Sequence, residues 1–253
     1  AFLHSVMMQE KRGMMKVWNV WLVFSTFLLC ILGTLLTRSG VVSSVHAFAQ
    51  SSIGNWFTGF ILLTLAVCFF AYVKNADYLK SENHLDSVVS RESSFLFNNL
   101  LFLIACIAVL SGTLFPVFSE WFTGNRISVG APFFNKVMIP IGLAILFLTG
   151  VGPLLAWRTT SLDSLKRNFT WPTVTALIGT VVSFFFGYRD VYALLCLFLC
   201  YFVGWTIVME FHRGAKVIAA RSNMSMMMAA HELAMRNTRR YGGYVVHMGM
   251  VLI

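Results

Sequence analysis

The sequence predicts an all-α protein, a polytopic transmembrane helical bundle, and three observations carry that prediction. Hydrophobic residues make up 58% of the chain and charged residues 11%, whereas a soluble domain carries about half apolar and about a quarter charged residues. Six apolar stretches, 17–36, 53–73, 95–117, 137–156, 171–188 and 191–211, each approach the roughly 20 residues that a helix needs to cross the hydrocarbon core. Lysine and arginine are split unevenly between the alternate loops that join these stretches, which is the signature of a fixed membrane orientation.

Taken in order, residues 1–9 read as the inner end of a preceding helix and 243–253 as the start of a following one. The expectation is therefore about six complete spans plus two truncated ones, forming a single domain over 1–253. Ala1 is not an initiator Met and Ile253 stops inside an apolar run that begins at Tyr244, so the chain reads as a fragment of a longer protein. Fifteen of the 19 Lys and Arg residues fall in 10–16, 74–94, 157–170 and 212–240, which makes these loops cytoplasmic. Only Arg38, Arg126, Lys136 and Arg189 fall in 37–52, 118–136 and 189–190, which face outward. Trp18, Trp56, Trp121, Trp157 and Trp171 sit at helix ends as interfacial anchors. Pro116, Pro140, Pro153 and Pro172 are expected near helix ends or first turns, where a missing N–H costs little. The stretch 212–240 is basic and Met-rich and reads as helical; it either lies on the anionic inner leaflet or serves as a solvated connector.

The net charge of +9 would suggest nucleic acid in a soluble protein; here its distribution sets topology, and no nucleic-acid partner is expected. The five cysteines lie inside apolar runs with no CxxC or CxxCH spacing, and they read as small hydrophobes. No Asp, Glu, Lys or Arg falls well inside a predicted span, and Glu210 sits near an inner boundary, which argues against an ion-coupled pump.

Histidine is the exception. His4 precedes Lys11 by seven residues and His247 follows Arg240 by seven, so in helices each lies on the order of 10 Å inside the cytoplasmic boundary. Neutral imidazole is a good axial ligand for haem iron, and bis-histidine ligation accounts for both residues at one depth. Gly242, Gly243 and Gly249 flank His247 and would let a flat macrocycle approach the helix. The same spacing also fits two imidazoles that hydrogen-bond neighbouring helices and bind nothing. On the outward face, His46 lies eight residues after Arg38; together they offer an iron ligand and a counter-charge for a propionate, or simply an exposed loop histidine. His84, His212 and His231 read as solvated loop residues.

Several runs carry a likeness. Leu3-His4-Ser5, Glu10-Lys11-Arg12-Gly13, Lys16-Val17-Trp18, Gly33-Thr34, Thr37-Arg38-Ser39-Gly40-Val41 and Ser44-Val45-His46-Ala47-Phe48-Ala49 resemble the haem lyase subunit family CcmF/NrfE of cytochrome c-type biogenesis. Further matches in register are Ser90-Arg91-Glu92, Asn98-Asn99, Gly112-Thr113-Leu114 with Pro116, Ile127-Ser128-Val129-Gly130, Gly150-Val151-Gly152-Pro153-Leu154 and Tyr241-Gly242-Gly243 with His247.

That resemblance implies a haem-handling protein of the bacterial inner membrane with its active face in the periplasm. It implies that His4 and His247 are the transmembrane ligands of a structural haem b, and that His46 is the second of two external histidines that meet the incoming haem. The family's tryptophan-rich external segment and first external histidine would lie upstream of Ala1, so the chain is not expected to act alone. The implied partners are the haem chaperone CcmE, a CcmH-type thiol-handling subunit, apocytochrome c, quinol as reductant and membrane lipid. Arg38 is expected to offset propionate charge on the outer haem. The residues leave two other readings open, a b-type cytochrome for quinol electron transfer and a cofactor-free polytopic transporter.

Overall fold

A computed structural model describes residues 1–38 and 53–253. Nine helices occur among them: α1 (Phe2–Arg12), α2 (Lys16–Arg38), α3 (Ile53–Lys74), α4 (Arg91–Thr123), α5 (Ala131–Val151), α6 (Leu162–Phe185), α7 (Val191–Ser222), α8 (Met226–Arg236) and α9 (Thr238–Leu252). A 3-10 turn, Gly152–Leu154, follows α5, and the described residues contain no strand. The all-α, polytopic architecture is as expected. Five helical segments, Lys16–Arg38, Ile53–Lys74, Arg91–Thr123, Ala131–Leu154 and Val191–Ser222, are long and apolar enough to cross a membrane. The expected span 171–188 overlaps α6 over 171–185, where Pro172, Thr173, Thr175, Thr180 and Ser183 interrupt the apolar run, and it is not among these five.

Helix boundaries follow local chemistry. α1 stops at Gly13, whose φ of 61° places it in the left-handed region and returns its N–H to the Gln9 carbonyl at 2.9 Å. Lys11 and Arg12 in that last turn complement the helix dipole. The side chains of Ser161, Asp190 and Ser225 cap α6, α7 and α8 by accepting from Ser164 N, Ala193 N and Met228 N. One expectation is corrected here: Pro116, Pro140 and Pro172 lie inside α4, α5 and α6 rather than at their ends. Proline is tolerated within membrane helices because neighbouring groups re-satisfy the freed carbonyls, and the pattern rule carried over from soluble helices misses this.

The chain divides into two compact units, Ala1–Leu85 with Phe95–Met138, and Asp86–Ser94 with Ile139–Ile253. In the first, α2 packs on both α1 and α3, and Asn19 of α2 donates to Gln9 of α1 at 2.6 Å. In the second, α7 is the central element, packed on α6, α8 and α9. Its core joins Ala176, Phe202, Val203, Ile207, Tyr241 and Tyr244, with Phe169 and Phe198 stacked on Phe202 at 6.0 and 6.4 Å.

The burial pattern departs from that of a soluble protein. Ser90, Glu92, Ser93, Ser94, Asn98 and Asn99 are buried, while Leu62, Leu63, Phe69 and Phe70 of α3 are each about 60% exposed or more. Polar side chains inside and apolar ones outside are what a lipid solvent selects. The Met-rich stretch is helical as read: α7 runs to Ser222, and α8 buries Ala229 and packs Leu233 and Ala234 against the core, with Met227 and Met228 exposed.

Candidate functional site

The first histidine site lies in the first unit. α1 presents His4, half-buried, to α4. Asn98 Nδ2 lies 2.8 Å from His4 Nδ1, and Phe95 stacks on the imidazole with centroids 5.1 Å apart and an interplanar angle of 17°. Phe95 and Asn98 are three apart and so share one face of α4. The helix thus holds the ring by its flat side and by one nitrogen. With the Asn98 amide donating, Nδ1 is an acceptor and the ring proton sits on Nε2. Turning the amide over lets Oδ1 accept from Nδ1–H and presents the Nε2 lone pair to a metal.

The second histidine site lies in the second unit. His247 is half-buried on α9, one turn from Gly243 on the same face. A Cβ added at Gly242, Gly243 or Gly249 would meet nothing within 4 Å. Space therefore lies open beside the helix where the sequence expects a macrocycle to approach. Of the other candidates, Arg38 is the exposed last residue of α2, and His46 lies outside the described residues.

Sequence reasoning did not anticipate a tightly bonded motif pair at the start of α4. Arg91 N donates to Ala156 O at 2.9 Å, its Nε donates to Leu155 O at 3.0 Å, and its Nη2 donates to Pro153 O. The buried Glu92 carboxylate accepts from Arg158 N through both oxygens, at 3.0 and 2.9 Å. Gly152 lies against Ser94, so a Cβ there would overlap the hydroxyl oxygen. Ser90-Arg91-Glu92 and Gly150-Val151-Gly152-Pro153-Leu154 are thus two halves of one brace. Both stood out in the sequence as family matches, but spacing alone does not say that they touch.

Beside the brace, Arg91, Arg167, Asn168, Glu210, Arg213 and Arg240 line a crevice of about 350 Å³ together with Pro153 and Leu154. Glu210 accepts from Arg240 at 2.5 Å and from Tyr244 Oη at 3.4 Å, and it lies 3.6 Å from Arg213. Arg213 also donates to Asn168 Oδ1 at 2.8 Å and to Arg167 O at 3.2 Å.

Long apolar helices with polar side chains turned inward define a multi-pass membrane protein. No family model matches the chain. Similarity to individual proteins is extensive. The chain is 32% identical over 256 residues to the cytochrome c-type biogenesis protein CcmF of Pseudomonas aeruginosa, covering 100% of this chain and 37% of that protein. It is 37% identical over 186 residues to the cytochrome c-type biogenesis protein CycK of Rhizobium meliloti, covering 73% of this chain and 27% of that protein. Among solved structures, cytochrome c heme lyase CcmF matches 99% of this chain and 35% of its own, at 31% identity and a TM-score of 0.71. The chain belongs to the CcmF/CycK/NrfE family of cytochrome c-type biogenesis proteins. It spans roughly a third of the length of these relatives.

Proposed function

We propose that this chain forms part of a membrane haem lyase, which transfers haem from a periplasmic chaperone to apocytochrome c during cytochrome c maturation. The observation that carries this reading is the His4 site, in a chain whose solved relative is named a heme lyase: a half-buried imidazole stacked on Phe95 and engaged at Nδ1 by Asn98. A partner on Nδ1 fixes the orientation of a ligating imidazole and directs Nε2 to the metal.

The residues fit a haem. His4 and His247 would be the axial ligands of an intramembrane haem b, with His4 held by Asn98 and room beside His247 at Gly243. A bound haem of this kind supplies one-electron chemistry at a potential set by its ligands and surroundings. The chain's own contribution is orientation: Phe95 stacks on the His4 ring and Asn98 engages its Nδ1.

The incoming haem is substrate. His46 would ligate it on the outward face and Arg38 would offset its propionate charge, while vinyl and thiol groups supply the bond-forming atoms. The remaining parts of the reading are a haem chaperone of the CcmE type as donor, a CcmH-type subunit that presents the apocytochrome thiols, and quinol as the source of electrons. They also include an inner-membrane location with the active face in the periplasm. The fifteen basic residues of the alternate loops support that orientation.

The test uses the full-length protein. His4→Ala should abolish the reduced b-type α-band in a folded preparation, because one remaining axial ligand holds iron weakly; an unchanged haem content would refute the ligand assignment. His46→Ala should leave that band intact and stop cytochrome c maturation. Intact maturation would favour a simple electron-transfer cytochrome. Arg38→Glu should lower the yield of mature cytochrome c with normal insertion into the membrane, and a normal yield would remove Arg38 from the site.

A further inference from the structure

Positive-inside topology explains why the loops carry arginine, but not why four guanidinium groups from four helices line a single cavity. Arg91 opens α4, Arg167 lies in the second turn of α6, Arg213 is on α7 and Arg240 is in the first turn of α9. Glu210 is the one carboxylate of the lining, and it already receives Arg240, Tyr244 and, more loosely, Arg213. The lining therefore carries three positive charges more than negative ones. Arg91 and Arg213 are held in place by bonds to the carbonyls of 153, 155 and 167 and to the Asn168 amide. Among the described residues, Arg167 has no ion-pair or hydrogen-bond partner for its guanidinium, so its donors are unspent.

The level of the crevice in the membrane can be read from the sequence. No Asp, Glu, Lys or Arg occurs at 93–119, 168–188, 191–209 or 241–253. Each lining arginine stands at or near the edge of one of these uncharged runs, where the helix passes from water into hydrocarbon. Below Arg167, the same face of α6 continues through Trp171, Val174 and Ile178, which are 65%, 39% and 60% exposed. These positions are four, seven and eleven residues on, which is helical spacing for one stripe. A cation, then an interfacial aromatic ring, then branched aliphatics is the sequence of surfaces presented by an amphiphile with an anionic head and apolar tails.

We propose that the crevice binds the phosphate diester of an anionic phospholipid, with the acyl chains lying along the Trp171–Ile178 stripe of α6. Guanidinium pairs match phosphate oxygens two at a time, and basic pockets between helices at this level suit such headgroups. A free phosphate ion would use the arginines and leave the stripe without a role.

Thermal unfolding of the full-length protein in detergent micelles, doped with either phosphatidylglycerol or phosphatidylcholine, tests the proposal, with native mass spectrometry to count retained lipid. Phosphatidylglycerol should raise the midpoint and remain bound, and phosphatidylcholine should do neither. Arg167→Gln removes a group with no structural partner and should weaken phosphatidylglycerol binding about fivefold, the equivalent of one cation at the membrane surface. Arg167→Lys should keep most of the affinity and controls for folding. Equal stabilisation by phosphatidylcholine, equal stabilisation by inorganic phosphate, or wild-type phosphatidylglycerol affinity in Arg167→Gln would each overturn the proposal. So would loss of the b-type haem band in Arg167→Gln with lipid retention unchanged, which would assign these arginines to haem. Because phosphatidylglycerol binding is measured without reference to haem, the proposal can fail while the haem lyase reading stands, and the reverse.

Discussion

His4 and His247 share a residue type and a degree of burial, yet their surroundings differ. His4 is gripped: Asn98 engages Nδ1 at 2.8 Å and Phe95 covers the ring. His247 stands on a helix whose flanking glycines face open space. If both ligate one iron, the first site fixes direction and the second supplies room, so they should respond differently to substitution of their neighbours. The largest expected difference lies at Asn98. Asn98→Leu removes the group that orients the His4 imidazole, and loss of such a partner typically weakens metal binding by about 10–100-fold. Haem retained per protein through gel filtration, read from the reduced α-band, measures this. Wild-type retention would mean that Asn98 is a packing residue and that the His4 site is not specially prepared.

The brace between the start of α4 and the loop after α5 provides the next contrast, since it concerns stability rather than ligands. Glu92 is 2% exposed, and its two oxygens accept from a single backbone N–H at Arg158. Glu92→Gln halves the acceptor capacity and can turn an NH₂ toward that donor, so it should cost about 1–3 kcal/mol. Unfolding titrated with a denaturing detergent should show the loss, and haem ligation should persist in the fraction that remains folded. A variant as stable as wild type would demote the brace to a surface contact.

These cases also separate what was legible in the sequence from what was not. Apolar run length located the long helices, because the bilayer imposes one length on every helix that crosses it. The exception was α6: a run beginning at 171 was visible, but the helix starts at Leu162, since a capping serine extends it through polar residues. Pro116, Pro140 and Pro172 escape the pattern rules of soluble helices, because packing within a membrane helix bundle supplies the missing bonds. His4 stood out as an imidazole in an apolar run, whereas Asn98 did not. It lies 94 residues away, and nothing local connects an amide on one helix to a ring on another. The arginine crevice was hidden for the same reason: Arg91, Arg167, Arg213 and Arg240 read as topology in three separate loops, and only folding brings them together.

The smallest expected effect is the most discriminating test of the open side of α9. Gly243 lies one turn from His247, and a Cβ there would touch nothing within 4 Å. Alanine is the better helix former, so Gly243→Ala should leave the haem-free protein as stable as before or up to about 1 kcal/mol more stable. If a macrocycle lies against this face, the same methyl group would hold it off the helix and haem retention should fall. Opposite signs in the two measurements, stability of the haem-free protein and haem retained, would identify Gly243 as a contact surface for a ligand. A rise in both would show that the space beside His247 belongs to lipid, and iron would then have to be sought elsewhere.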